Sequence, residues 1–253
     1  MQKDDIALIE MADIAAAVGL LTRLPVRVDT TKAMARGAQA AWAYPLAGVV
    51  VAVLAACLGT VMLALDVPVP IVAGAVLACS AFVTGAMHED GLADCADGFW
   101  GGWNPSRRLE IMKDSAVGVY GLLALVLAVL LRWQALVLII DAGMLWAAVV
   151  ATATTSRAGM VVLMNRLQNP RDNGLSRSVG RPSTAATWIA VGIAGLIAMT
   201  AGLPNIILWS VIGTILCGVL AYRKIGGQTG DVLGATQQVT EILALCAIAA
   251  SLS

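Results

Sequence analysis

Charge and histidine are what this chain has least of. Asp, Glu, Lys and Arg make up only 13% of its 253 residues, about half the share of an ordinary soluble domain, and His88 is the single histidine. The 16 basic and 16 acidic side chains cancel, so no basic excess points to nucleic acid and no acidic excess to a disordered tail. The five cysteines (Cys57, Cys79, Cys95, Cys217 and Cys246) contain no Cys-x-x-Cys pair and mostly lie in apolar runs. That pattern speaks against a zinc ribbon or a disulfide framework and reads as small core residues. Apolar residues are abundant instead, at 59%, more than a soluble core of this size can hide.

A transmembrane helix takes about 20 mostly apolar residues. Seven stretches qualify: Trp42–Leu65, Pro70–Met87, Val117–Leu131, Ala135–Thr154, Ala185–Leu203, Ile206–Tyr222 and Val239–Leu252. Two of them are short or borderline, so the expected architecture is an all-α, polytopic bundle of six to eight spans forming one integral membrane domain over residues 1–253. Asp66-Val-Pro-Val-Pro70 and Gly202-Leu-Pro-Asn205 read as tight connections. Within residues 1–36, the acidic-headed segment Asp4–Leu24 lacks the basic start and cleavage site of a signal peptide, and reads as a helix lying on the membrane or packed among the others.

Basic residues cluster between alternate spans. Five precede the first span, three fall in 88–116 (Arg107, Arg108, Lys113), five in 155–184 and two in 223–238, while only Arg132 falls on the opposite side. By the bias of Lys and Arg toward cytoplasmic loops, these four segments face the cytoplasm and the chain belongs in the cytoplasmic (inner) membrane.

The densest polar signal is His88-Glu-Asp-Gly-Leu-Ala-Asp-Cys-Ala-Asp-Gly98. With a 100° step, Asp90, Asp94 and Asp97 share one helix face. Three carboxylates on one stripe suit a hard divalent cation, and Mg²⁺ held by carboxylates and phosphate oxygens is the usual form. Glu89 points about 100° away from Asp90 and is a weaker ligand candidate. His88 reads either as a proton shuttle or substrate contact or as a plain hydrogen-bonding residue. Lys113 and Asp114 follow near the next span, where an anion such as a pyrophosphate would suit the cations. Arg157 opens the third polar segment, whose run from Asn165 to Ser183, with turn signals at Asn169-Pro, Asp172-Asn-Gly and Arg181-Pro, reads as a connecting loop or a lid. In the fourth, Gly226-Gly-Gln-Thr-Gly-Asp231 offers backbone N–H groups at Gly227, Thr229 and Gly230 to phosphate oxygens, with Asp231 able to join a metal. It is not a Walker A loop, because no Gly-Lys-Ser/Thr follows. Glu241, inside the last apolar run, needs a partner or a polar cavity.

Taken in order, His88-x-Asp-Gly-x-Ala-Asp-x-x-Asp-Gly98, Lys113-Asp-Ser115 with Gly118 and Gly121, and Gly226-Gly-x-Thr-Gly-Asp-x-Leu-Gly-Ala235 resemble the adenosylcobinamide-GDP ribazoletransferase family, also called cobalamin (5′-phosphate) synthase. Leu21-Thr-Arg-Leu-Pro25 looks like that family's amino-terminal signature, so the likeness covers nearly the whole chain. The resemblance implies a Mg²⁺-dependent membrane enzyme that joins adenosylcobinamide-GDP to α-ribazole or its 5′-phosphate and releases GMP. On that reading Asp90, Asp94, Asp97 and Asp231 are the metal ligands. Asp94, Asp97 or His88 takes the proton of the attacking hydroxyl, and Lys113, Asp114, Arg157, Arg23, Gly227, Thr229 and Gly230 contact substrate. The lipid bilayer is the surrounding partner, nucleic acid is not expected, and a homo-oligomer is compatible with the sequence.

Two rivals fit less well. CDP-alcohol phosphotransferases share Asp94-x-x-Asp97-Gly98, but Gly101-Gly102 replaces the Ala-Arg that should follow, and the later Gly-x-x-x-Asp-x-x-x-Asp is absent. A cation-coupled transporter would use intramembrane acids such as Asp141 and Glu241, yet most acids gather in the polar segments and no internal repeat is evident.

Overall fold

The computed structural model describes residues 7–171 and 174–252. Lys3, Asp4, Asp5 and the turn centre at Asp172-Asn173 lie outside them. The described residues form α-helices and one 3₁₀ helix, with no strand among them. Helices α1 (Ala12–Leu21) and α2 (Thr30–Arg36) precede the 3₁₀ turn Gly37–Ala43. Then come α3 (Tyr44–Ala64), α4 (Val69–Thr84), α5 (Met87–Gly101), α6 (Pro105–Ile111), α7 (Val119–Asp141), α8 (Leu145–Arg166), α9 (Leu175–Val179), α10 (Thr184–Thr200), α11 (Asn205–Ile225) and α12 (Gly230–Ala250).

Five helical segments are long and apolar enough to cross a membrane, and a sixth results if α4 and α5 count as one broken span. α10, at 17 residues, is a shorter apolar helix. The chain is thus the polytopic helical bundle expected from its composition. α8 is its axis: it packs against α3, α10, α11 and α12, and 83% of its apolar window is buried, against 33% for α7 and α11. That contrast explains composition. The axial helix carries small and hydroxylated residues (Ala151-Thr-Ala-Thr-Thr-Ser156), whose hydroxyls bond back to carbonyls three or four residues earlier, whereas the lipid-facing sides of α7 and α11 are rich in exposed Leu, Val and Ile.

Several boundaries differ from the sequence expectation. The amino-terminal helix is shorter than Asp4–Leu24 and is packed inward through Asp13, Ala17, Val18 and Leu21. Its Asp13 carboxylate bonds Arg36 Nε at 2.7 Å and Trp42 Nε1 at 2.7 Å, and pairs with Arg36 NH2. Burial raises the Asp13 pKa, but hydrogen bonds from Arg36, Trp42 and the Glu10 amide outweigh it and hold the carboxyl below its ordinary value. α7 does not stop at Leu131. It runs through Arg132 for 23 residues, about 35 Å at 1.5 Å per residue, because Arg132 is compensated inside the bundle. The following turn lies at 142–144, and α8 extends to Arg166, so residues 155–166 are helix rather than loop. Residues 88–101 and 230–238 are likewise helical. The cysteines are all free, but only Cys95 and Cys217 are buried; Cys57 is exposed on α3, where an apolar environment outside the bundle serves a thiol as well as the core does.

The connections 65–68, 142–144 and 201–204 contain no Lys or Arg, whereas Arg107, Arg108, Lys113, Arg171, Arg177 and Arg181 belong to the connections at the other end. The asymmetry is sharper than expected, since Arg132 no longer opposes it.

Candidate active site

Two consecutive left-handed residues, Gly85 (φ 66°) and Ala86 (φ 55°), turn the chain by 88° between α4 and α5. Positive φ is uncommon for alanine, so the corner is held by its surroundings: Arg23 N–H donates to Val83 O at 2.7 Å and the Arg23 side chain lies against Gly85. The bend sends α5 across α12 and α7. Close backbone approach follows, with Gly91 against the Asp231 backbone and Gly234 against His88. This crossing brings the acids of α5 to the first turn of α12.

Asp90 is exposed and Asp94 partly buried, and neither has a hydrogen-bond or ion-pair partner among the described residues. Asp94 feels the like charges of Asp231, Asp90 and Asp97 together with the positive charge of Arg171. Asp231 accepts from Arg171 NH1 at 2.9 Å and from Thr229 Oγ1 at 3.2 Å. Arg171 also reaches Leu109 O at 3.4 Å, tying the 167–171 strap to α6. In the sequence Arg171 is simply one of the five cations of 155–184. Its position beside Asp231 could not be found without the fold.

Asp97 departs from the expected stripe. Gly118 N–H donates to its Oδ2 at 2.7 Å and Gly121 N–H to its Oδ1 at 2.9 Å. The carboxylate thus caps the open first turn of α7 from a neighbouring helix. A β-carbon on Gly118 or Gly121 would collide with it, which accounts for both glycines. Asp97 is thus engaged by α7 and Asp231 by Arg171, and no three His, Cys, Asp or Glu side chains form a ready-made metal cage among the described residues.

The remaining site candidates divide by place. Lys113 and Asp114 are exposed in the turn between α6 and α7, with Asp114 Oδ1 accepting Ala116 N–H at 3.1 Å. Thr229 caps α12 through Val232 N–H at 3.4 Å, Gly230 is open, and Gly227 is pressed on Gln168 O, so its lack of a side chain serves packing against the strap. Arg157 is not at the mouth. It is 2% exposed within α8, donating to Ala153 O at 3.0 Å, because the helix continues past the expected loop start.

Arg157 and His88, itself 1% exposed, line an inner polar chamber with Glu89, Arg132, Gln237 and Glu241. Arg132 contacts Glu89 and Glu241 at 3.4 Å each, Gln238 Nε2 donates to Glu89 Oε1 at 3.0 Å, and Gln237 Nε2 donates to Ser156 Oγ at 3.3 Å. Two cations and two anions neutralise one another, as charges inside a bilayer must. The chamber joins α5, α7, α8 and α12 and has a volume of about 30 Å³, room for one water. Glu89 therefore turns inward while Asp90, its neighbour in the chain, stays at the mouth.

An acidic mouth formed where a glycine-bearing crossing helix meets the Gly-rich start of α12 is the geometry behind the motifs. The model of the cobalamin-5-phosphate synthase family matches residues 13–249. The chain belongs to that family. Among cobalamin-5-phosphate synthase relatives, the adenosylcobinamide-GDP ribazoletransferase of Bradyrhizobium diazoefficiens is 40% identical over 245 residues, covering 95% of this chain and 94% of its own length. Those of Sinorhizobium medicae and Rhizobium meliloti are 39% and 40% identical, each covering 94% of this chain and 95% of the relative. No solved structure matches.

Proposed function

We infer that this chain is an adenosylcobinamide-GDP ribazoletransferase, joining adenosylcobinamide-GDP to α-ribazole or its 5′-phosphate with release of GMP. The observation that carries this is the family match over residues 13–249, together with full-length relatives of that name. The basic connections all lie at the end that holds the acidic mouth, which supports a site facing the cytoplasm of an inner-membrane protein.

Among the described residues Asp90 and Asp94 have no hydrogen-bond or ion-pair partner, and they lie beside one another on α5. Mg²⁺ prefers one or two carboxylates and fills its remaining positions with water and substrate phosphates, so this pair fits it without a protein cage. Asp90 and Asp94 would hold the ion, which when bound withdraws charge from the diphosphate oxygens.

In the reaction, the ribazole 3′-hydroxyl oxygen bonds to the cobinamide-linked phosphorus, the P–O bond to GMP breaks, and the hydroxyl proton passes to a carboxylate. An oxygen of Asp94 not taken up by the ion is the proton acceptor best placed for this, being partly shielded at the mouth, whereas His88 lies in the inner wall. Arg171 holds Asp231 and adds positive charge where the diphosphate would rest, with Lys113 at the rim. Asp97 and Gly118 fix the start of α7, and hence the turn that carries Lys113.

The test is formation of GMP and the joined corrinoid from adenosylcobinamide-GDP and α-ribazole by the purified protein, with and without a chelator. Activity lost with chelator and restored by Mg²⁺ supports the reading; no transfer under any metal overturns it.

A further inference from the structure

Where α5 crosses α12 the two backbones meet with no side chain between them: Gly91 lies against the Asp231 backbone and Gly234 against His88. Small-residue contacts of this kind let helices approach closely but offer no ridge to fix the roll of one on the other. Directional contacts have to supply it. At its carboxyl end α5 is pinned by Asp97, which caps α7, and by Lys224 Nζ, which donates to Phe99 O at 3.0 Å. In the half that carries Asp90 and Asp94, the side-chain bonds to other helices among the described residues are those of Glu89. Its Oε1 accepts Gln238 Nε2 of α12 at 3.0 Å and lies 3.4 Å from Arg132 NH2 of α7, and its charge also reaches Arg157 of α8. Gln238 is 2% exposed and donates as well to Gln237 Oε1 at 2.8 Å.

We propose that Glu89 and Gln238 are positioning residues of the transfer site: their bond inside the bundle sets the roll of α5 on α12 and so keeps Asp90 and Asp94 at the mouth, beside the first turn of α12. The proposal rests on the transferase reading above. Successive residues of a helix point 100° apart, so fastening Glu89 inward directs Asp90 outward. The exposures agree, since the Glu89 side chain is 16% exposed and Asp90 lies in the open. On α12, Gln238 follows Asp231 by seven residues, two turns, and points within about 20° of the same direction. The bond and Asp231 therefore share one face of α12, and Asp94, five residues past Glu89, meets the charge of Asp231. A metal site with only one or two carboxylates depends on whatever orients them. Glu89 does so from the inner chamber, where it, Glu241, Arg132 and Arg157 balance. The chamber needs that negative charge, but the charge need not sit on α5. Exchanging the two side chains moves the carboxylate across one hydrogen bond, preserves neutrality, and asks only that the Gln237 amide turn over to donate to it. A carboxylate that held the ion itself could not be moved to another helix in this way.

The test compares the parent, Glu89→Gln, and the exchange Glu89→Gln with Gln238→Glu, each purified in detergent and assayed well below its Tm. Two quantities are read: the Mg²⁺ concentration giving half-maximal GMP release, and, without metal or substrate, the rate at which a maleimide modifies Cys95, located by peptide mass. Cys95 is buried on α5, 4% exposed, so a change in the roll of that helix alters its protection. Glu89→Gln should raise the Mg²⁺ midpoint roughly tenfold, the lower end for residues that orient metal ligands, and speed modification of Cys95. The exchange should return both to within about twofold of the parent. A Glu89→Gln protein that melts lower but keeps the parental midpoint and Cys95 rate would reduce the pair to a stability role and overturn the proposal. An exchange that leaves either quantity where Glu89→Gln put it would also overturn it. If Glu89→Gln does not fold, Gln238→Leu replaces it with the same expectations, because it keeps all four charges and removes only the bond from α12. Absence of GMP release by the parent under any metal would refute the transferase reading instead, and the Cys95 rates would still decide whether the pair holds α5.

Discussion

Replacing Asp97 by alanine removes a cap on the start of α7, and a capping role and a metal-ligand role have opposite signatures. Its two oxygens accept the Gly118 and Gly121 amides at 2.7 and 2.9 Å. A hydrogen bond to a charged group contributes about 1.5–3 kcal/mol. Gly118 is exposed, so water replaces part of its bond, and the lower figure for each is appropriate. The expected loss is about 3 kcal/mol, or a fall in Tm of roughly 6–12 °C by the scaling for chains of 150–250 residues. Asp97→Asn retains one acceptor and should fall between. Thermal unfolding in detergent, read by circular dichroism, measures this, with Asp94→Ala as the comparison because Asp94 bonds nothing among the described residues. An Asp97→Ala protein that melts like the parent but releases no GMP would refute the capping account and make Asp97 a reacting-site ligand.

Asp94→Ala should keep the parental Tm and lower the rate of GMP release by about 10²- to 10³-fold, the usual cost of one preorganised electrostatic group. Arg132→Met takes the nearest cation from Glu89 and Glu241 inside the bundle and should destabilise by about 3–5 kcal/mol, whereas the double change with Glu241→Gln, which leaves Glu89 to balance Arg157, should recover much of that loss in the same melt. Asp13 has its carboxyl held below the ordinary value. Its contribution to stability is therefore present above about pH 4 and is lost as pH falls through the lower folded value. The Tm difference between parent and Asp13→Asn should accordingly be flat at neutral pH and shrink only in acid.

Much of the fold was legible because apolar runs of membrane length have few alternatives. The errors came from charges treated as boundaries. Arg132 marks the end of a span only if it is unpaired, and its partners Glu89 and Glu241 lie 43 and 109 residues away. Arg157 reads as a loop residue for the same reason, yet lies within α8. At the site, the helical stripe correctly put Asp90 and Asp94 on one face, but periodicity cannot tell a carboxylate that faces a ligand from one that faces another helix's amides. Asp97 is the second kind, and Gly118 and Gly121 were its trace in the sequence. Arg171 left no such trace, because its role depends on the strap folding back over α6 and α12.

The most direct test of the central claim is a Mg²⁺ titration of GMP release, comparing the parent with Asp90→Asn at matched thermal stability. The account predicts that chelator abolishes release in the parent and that the Asp90→Asn curve moves to at least tenfold higher Mg²⁺. Release that persists in chelator, or identical curves for the two proteins, would contradict it.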